Sequence, residues 1–335
     1  MQDLLISGVQ PTSTPHLGNY IGALQQWVKL QHEYECLFFV ADLHAITVPQ
    51  DPKELRERIL EIAATYFAIG LLPERCTLFI QSEVPEHAEL GWIMGTLARL
   101  GEMERMTQFK DKSAKEGYER AGLGLFSYPA LMAADILLYD ATIVPVGEDQ
   151  VQHLELTRML ARRFNERFGE TFVIPQPLMQ KVGARIMSLQ NPQKKMSKSD
   201  PSKNAAIFLD DSADTIKSKI MKAVTDTEGG VTFDLEKKPA ISNLMTIYHH
   251  LSGESMKSIE QTFAGKGYGD FKKALADVVV SHLTPITKKI VEYRQNPDML
   301  LKHLDEGRGK AHALAAKKMT IVRDCVGIGR ADKRP

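Results

Sequence analysis

The chain has 335 residues, enough for two domains or for one large domain with an appendage, and for a substantial buried core. Apolar residues make up 43% and charged residues 25%, proportions that exclude disorder as the main state. Lys plus Arg and Asp plus Glu stand at 42 each, so a nucleic-acid partner has to be held by local basic patches and not by a global field.

In chain order, Met1-Gln2-Asp3 lacks a basic start, and the uncharged stretch from Leu4 to Val28 is broken by Pro, Gly, Asn and Gln. Neither a signal peptide nor a membrane span is expected. Leu4 to Gly8 reads as a buried strand, and Gln10-Pro11-Thr12-Ser13-Thr14-Pro15-His16-Leu17-Gly18-Asn19 as the loop after it. A helix from about Tyr20 then brings its positive N-terminal dipole to whatever that loop holds, so an anion is expected there. Leu37 to Ala41 is apolar and short enough for a central parallel strand. Open parallel sheets bind ligands at strand carboxyl ends, which makes Asp42 and His44 candidates for the site. A helix-capping Asp and a hydrogen-bonded structural His are the plainer readings of the same two residues. Asp51-Pro52 opens a helix whose buried face is Leu55, Ile59, Ile62, Tyr66 and Ile69, ending at Gly70. With a third strand at Leu78 to Gln81, the alternation predicts an α/β fold with a doubly wound, Rossmann-like parallel sheet.

Residues 84–125 read as a Met-rich helical insertion closed by Gln108, Lys110 and Lys112. In the following helix, Ser127 to Tyr139, Asp135 is the one carboxylate in an apolar run, and burying it without a donor is costly. Its partner is either a structural Arg or backbone amide, or a large aromatic ligand bearing one N–H or O–H. Thr142 to Val146 is a fourth strand, and Gly147-Glu148-Asp149-Gln150 turns from it into a helix carrying His153. A glycine turn with acids at a strand end suits a ribose, although Asp149 would serve equally as a helix cap. Ile174 to Met179 leads through Gly183 to Met187 into Lys195-Met196-Ser197-Lys198-Ser199, a cationic loop suited to a polyphosphate. Beyond Asp200 the pattern is helical, with a kink expected at Pro285 and basic runs, Lys217 to Lys222 and Lys310 to Arg323, read as solvated faces. This divides the chain into a catalytic unit, 1–204, and a helical unit, 205–335, whose last helix is a candidate to pack back on the first. Cys36, Cys76 and Cys325 have no zinc-like spacing, no metal-ligating residues are assigned, and a reducing cytoplasm is expected.

The loops near residues 16 and 197, facing each other across the sheet's carboxyl ends, would hold a nucleoside triphosphate. A substrate carboxylate then attacks the α-phosphorus and pyrophosphate leaves, with no protein nucleophile. Catalysis comes from alignment and from charge on Lys195 and Lys198.

His16-Leu17-Gly18-Asn19 resembles the His-Ile-Gly-His element of class I aminoacyl-tRNA synthetases, and Lys195 to Ser199 matches their second element letter for letter. Gly8 to Asn19, Asp42 to Thr47, Tyr128 to Tyr139, Gly147 to Gln150 with His153 to Arg158, and Asn191 to Asp200 together resemble the bacterial tryptophanyl-tRNA synthetases. That resemblance implies Asp135 as acceptor of the indole N–H, with Tyr128, Met132, Val144, Val146 and His44 around it and Gln150 toward the amine. It implies ATP as substrate on Gln10, Pro11, Thr12, Gly18, Asn19, Gly147, Glu148, Asp149, Ile186, Lys195, Met196, Ser197, Lys198 and Ser199. It further implies His16 and Lys112 in the catalytic set, Mg2+, a homodimer, and tRNA(Trp) read by the helical unit. Two positions depart from the pattern: His16 stands where bacterial members often have Thr, and Leu43 where Gln is common. The rival readings are a tyrosine enzyme, since a phenol also suits a lone acceptor, a small-acid nucleotidyltransferase without tRNA, and a non-catalytic RNA-binding relative.

Overall fold

The computed structural model describes residues 3–12, 14–110, 122–147, 150–179, 185–198 and 200–330. Lys112, Glu148, Asp149 and Ser199 lie outside the described residues. Five strands, β1 (Leu4–Val9), β2 (Glu35–Val40), β3 (Cys76–Ile80), β4 (Ile143–Val146) and β5 (Gln176–Met179), form one parallel sheet in the order β3-β2-β1-β4-β5. The order reverses between β1 and β4, and at such a switch point the carboxyl ends open a crevice. The doubly wound α/β sheet expected from the alternation is the one observed. β5 is a strand that the sequence pattern alone leaves unassigned. β5 is a mostly exposed edge containing Pro177, so it lacks the apolar run that marks a central strand.

Between β1 and β2 run α1 (Leu17–Asn19), a π-helical turn (Tyr20–Leu24) and α2 (Gln25–Leu30). Next come α3 (Asp42–Ala45) and α4 (Pro52–Ala68), then the 3-10 turn Gln81–Glu83 after β3. Asp51 caps α4 by accepting the N–H groups of Lys53 and Glu54, both at 2.9 Å, with Pro52 at the first helical position. α5 (Glu86–Leu97), α6 (Leu100–Glu104), α7 (Leu123–Leu137) and α8 (Val151–Phe168) complete the sheet's surroundings. Consecutive strand residues point to opposite faces, so Leu5, Phe38 and Leu78 enter one core while Ile6, Leu37 and Phe79 enter the other.

After the sheet follow α9 (Ala213–Met221), α10 (Pro239–Ser252), α11 (Met256–Thr262), α12 (Tyr268–Gln295) and α13 (Pro297–Val326). α12 runs as one helix through Pro285. Ile216, Ile241, Phe271 and Leu275 share the first core with Leu5 and Phe38. α13 contributes Leu304 to that core and Ala311, Ala315, Met319 and Val322 to the other. It thereby covers the free edge beside β3, which an exposed strand would leave open to pairing. The basic runs are not simply solvated. Lys318 pairs with Asp140 at 2.7 Å, Lys219 with Asp211 at 2.6 Å and Arg323 with Glu89, while Lys272 donates to the Ala223 carbonyl at 2.6 Å beyond the end of α9. Asp140 and Glu89 lie far away in sequence from Lys318 and Arg323, so local charge pattern misreads that run.

α13 crosses β3 at Gly307, where an added Cβ would stand 1.8 Å from the Leu78 carbonyl oxygen. Backbone cannot yield as a flexible side chain does. Gly307→Ala is therefore expected to lose about 1–3 kcal/mol of stability by overpacking, although alanine favours a helix by about 1 kcal/mol. Chemical denaturation giving equal or higher stability would refute this contact.

Candidate active site

Two halves of a crevice meet at the carboxyl ends of β1, β2 and β4. The first is a cavity of about 360 Å³ whose lining includes Gly8, Gln10, Phe39, His44, Tyr128, Met132, Asp135, Val144, Val146 and Gln150. All seven residues assigned to the amino acid line this one space. α7 presents Asp135 at its floor, 1% exposed. Among the described residues neither an arginine nor a backbone amide satisfies the carboxylate. Oδ2 accepts from His44 Nε2 at 2.7 Å, and Oδ1 accepts from His87 Nδ1 and Gln81 Nε2, each at 2.7 Å. Burial pushes the carboxyl up, but the adjacent His44 and His87 outweigh it and hold it down to about 2. Asp135 is thus an anion in an apolar cavity, and three donors leave one acceptor position open on Oδ2 among the described residues.

Asp42 does not line the cavity. Its Oδ1 accepts the N–H groups of Leu43 at 3.1 Å and Ser82 at 2.9 Å, locking the ends of β2 and β3 together. Sequence reading missed Gln81 and His87. Gln81 follows β3 directly, and the rule that singled out Asp42 and His44 after β2 would have found it. His87, inside α5, carried no such signal.

The second half is made of backbone. His16 bridges antiparallel to Phe208, the Leu17 N–H donates to Ile207 at 2.8 Å, and Leu209 donates to Pro15 at 3.1 Å. The lysine loop is hung on the same frame. Lys195 bridges antiparallel to Met187, the Met196 N–H donates to Ile186 at 3.0 Å, and the Asn243 side chain clamps both backbone groups of Met187. Met196 is buried over Gly18, where an added Cβ would meet its Cβ at 3.5 Å. Lys198 Nζ donates to the Thr12 carbonyl, so the two loops touch. Pro11 is buried, Ser197 is half-buried and Gln10, Asn19, Gly147 and Lys195 are exposed at the mouth. The Gly147 carbonyl accepts from Gln150 at 2.9 Å. A second recess of about 400 Å³ takes in Ser197, Lys198, Lys203 and Lys219. Burial and the nearby Arg58 draw the Lys198 ammonium below its ordinary range. The arrangement offers exposed cations beside a cavity with one aimed acceptor.

The family model described as tRNA synthetases class I (W and Y) matches residues 4–284. The chain belongs to that class I synthetase family. A tryptophan–tRNA ligase of Bacillus anthracis is 54% identical over 327 residues, 98% of each chain. The crystal structure of the tryptophanyl-tRNA synthetase of Mycoplasma pneumoniae superposes with a TM-score of 0.86 at 38% identity, covering 98% of this chain and 99% of that one. The Campylobacter jejuni synthetase complexed with ADP and tryptophan gives 0.86 at 35% identity, over 97% of this chain and 100% of its own.

The two departures from the synthetase pattern have local explanations. His16 caps α1: its Nδ1 accepts the Asn19 N–H at 3.2 Å while Asn19 Oδ1 accepts the His16 N–H at 3.1 Å. A threonine hydroxyl at an N-cap accepts the same N–H, so the two residue types do the same structural work. The Leu43 side chain lines an apolar surface groove and not the amino-acid cavity, while its N–H donates to Gln81 Oε1 at 3.2 Å.

Burial, then the charge of Lys195, lowers His16 from 6.5 to about 4. The unfolded histidine takes its proton at the higher pH, so the stability this residue gives is complete above pH 6.5 and is lost as pH falls toward 4. Relative to His16→Thr, the unsubstituted protein should lose about 2 kcal/mol between pH 7 and pH 5. Parallel denaturation curves at both pH values check this, and a constant difference would contradict a neutral buried cap.

Proposed function

We propose that the chain is a tryptophan–tRNA ligase: it activates L-tryptophan with ATP to tryptophanyl-adenylate and pyrophosphate, then transfers tryptophan to the 3′ end of tRNA(Trp). The observation that carries this reading is Asp135, a buried anion with one open acceptor position in an apolar cavity that adjoins two contacting nucleotide loops. An indole is a large apolar ring with one donor and no acceptor, which is the complement of that cavity.

Tyr128, Met132, Val144 and Val146 enclose the ring and Gln150 faces the amine, leaving the carboxylate toward Gln10 and the loops. ATP lies along Gln10, Pro11, Thr12, Gly18, Asn19, Gly147, Ile186 and the lysine loop. The tryptophan carboxylate attacks the α-phosphorus, the bond to the bridging oxygen breaks, and pyrophosphate departs with the charge. Lys195 and Lys198 neutralise that developing charge, and their effect is larger in the transition state than in the ground state. His16, buried and neutral, shapes the loop and lends the reaction no proton. Glu148, Asp149 and Ser199 belong to the same proposed nucleotide set, and Lys112 to the proposed catalytic set. Among the described residues no group of three or more His, Cys, Asp or Glu is placed to hold a metal ion. Magnesium, where it accompanies ATP, would be carried by the nucleotide and would supply further positive charge beside Lys195 and Lys198.

The helical unit, 205–335, is proposed to read the anticodon. A homodimer is supported by an apolar groove of about 730 Å³ in which Trp92, Leu100 and Leu123 are 76%, 72% and 78% exposed, a patch that one copy leaves uncovered. No helix among the described residues is long and apolar enough to cross a membrane. Cys36, Cys76 and Cys325 are free thiols, which supports a cytoplasmic setting.

ATP–pyrophosphate exchange measured with each of the twenty amino acids tests the assignment, with tryptophan expected to support it and tyrosine not. Exchange driven by tyrosine alone would replace it with the phenol enzyme. Lys195→Ala is expected to lower the exchange kcat by roughly 100-fold while tryptophan affinity changes less than about 3-fold. An unaltered kcat would remove Lys195 from the reaction.

A further inference from the structure

Behind the cavity floor lies a chain of buried polar groups that no substrate reaches. Gln81 and His87 are fully buried, do not line the amino-acid cavity, and both donate to Asp135 Oδ1. The other nitrogen of His87, Nε2, stands 2.8 Å from Tyr139 Oη. Tyr139 Oη has no other partner among the described residues. Burial, then the negative charges of Asp135 and Glu86, pushes its phenol well up, so it keeps its proton and donates it to Nε2. The ring proton of His87 is thereby fixed on Nδ1, aimed at the carboxylate. Gln81 is oriented from its other end, since its Oε1 accepts the Leu43 N–H at 3.2 Å.

We propose that His87, held in one tautomer by Tyr139, is the positioning residue that sets ring selection: with Gln81 it fills Oδ1, so Asp135 offers the cavity one acceptor and no donor. This rests on the tryptophan reading of the cavity and deepens it. An indole N–H matches a pure acceptor completely. A phenol can donate to it as well, but its own oxygen then wants a donor, and the N–H groups of His44 and His87 are spent on the carboxylate. A buried polar group left without a partner is what makes such a site reject the near-isostere. Without His87, Oδ1 keeps a single donor and the buried carboxyl takes a proton more readily. A protonated Asp135 donates, and a phenol oxygen then finds the partner it lacked. Tolerance of tyrosine therefore rises as affinity for tryptophan falls.

The test is ATP–pyrophosphate exchange by full-length protein with tryptophan and with tyrosine, kcat and KM separately. His87→Leu should raise the tryptophan KM about 10- to 100-fold with kcat changed less than about 3-fold, and lower the tryptophan-to-tyrosine ratio of kcat/KM by a similar factor. His87→Asn places an amide N–H near the position of Nδ1 and should recover most of both values. Tyr139→Phe, which removes one oxygen and keeps the packing, should shift the ratio about 3- to 10-fold in the same direction, and it carries the test where His87→Leu does not fold. A ratio unchanged from that of the unsubstituted protein in the folded variants, or a loss confined to kcat and equal for both amino acids, would overturn the inference alone. Absence of tryptophan-dependent exchange in the unsubstituted protein would overturn the underlying reading and the inference with it.

Discussion

The structure turns on keeping one carboxylate ionised out of water. An isolated anion in an apolar cavity is not tolerable, and Asp135 is held by three donors that come from separate elements. His44 stands on α3 after β2, Gln81 begins the 3-10 turn after β3, and His87 sits on α5. Two strand ends and the helical insertion must therefore be packed correctly before the cavity has a floor. Asp42 serves the same end indirectly, because its bond to the Ser82 N–H fixes how the ends of β2 and β3 lie together. The insertion is a structural part of the binding site, although it adjoins the groove that an isolated copy leaves open.

The nucleotide side is built on the opposite principle. Its anchors are backbone hydrogen bonds, the buried Met196 and the Asn243 clamp, while Lys195 and Lys198 stay exposed. The exposed Lys195 ammonium keeps its hydration until a ligand replaces it, whereas Lys198 gives up part of its own and is held by the Thr12 carbonyl. Charges that act on a leaving group have to follow a moving target, and long side chains on a fixed loop can do so. On the proposed reading, a rigid acceptor would serve selection and adjustable cations would serve catalysis, and the two halves of the crevice keep those demands separate.

The same division explains what was legible in the sequence. A loop suited to phosphate needs particular residues side by side, so Gly18, Asn19 and the lysine loop stand out as contiguous motifs. Asp135 stood out because a lone charge in an apolar helix demands a partner. Of its three partners, His44 and Gln81 follow strand ends and are within reach of the rule that ligands gather at strand carboxyl ends, whereas His87 meets Asp135 only through the packing of α5 against α7, and a histidine in a helix looks like any other. The sheet was read from apolar runs between helices, and β5 escaped because an exposed edge has no such run. Gly307 escaped for a related reason, since the need for glycine arises from a backbone carbonyl 229 positions away in the chain and leaves no local trace. Lys318 and Arg323 were misread as a solvated face because Asp140 and Glu89 are equally remote.

A boundary drawn at residue 204 is a boundary in sequence texture and not in packing. Leu5 and Phe38 of the sheet share one core with Ile241 and Phe271 of the helices. The nucleotide loop leans on the same helices directly. Tyr20 Oη meets His282 Nε2 at 2.8 Å, and the Thr287 hydroxyl donates at 2.8 Å to the Leu209 carbonyl, whose own N–H reaches Pro15. Thr14 donates to Glu61 at 2.7 Å, and Arg294 ties Glu61 to Asp210. α12 is thus part of the frame that shapes the loop around His16. The helices after the sheet are for this reason joined to the loop around His16 by ordinary packing and a handful of hydrogen bonds.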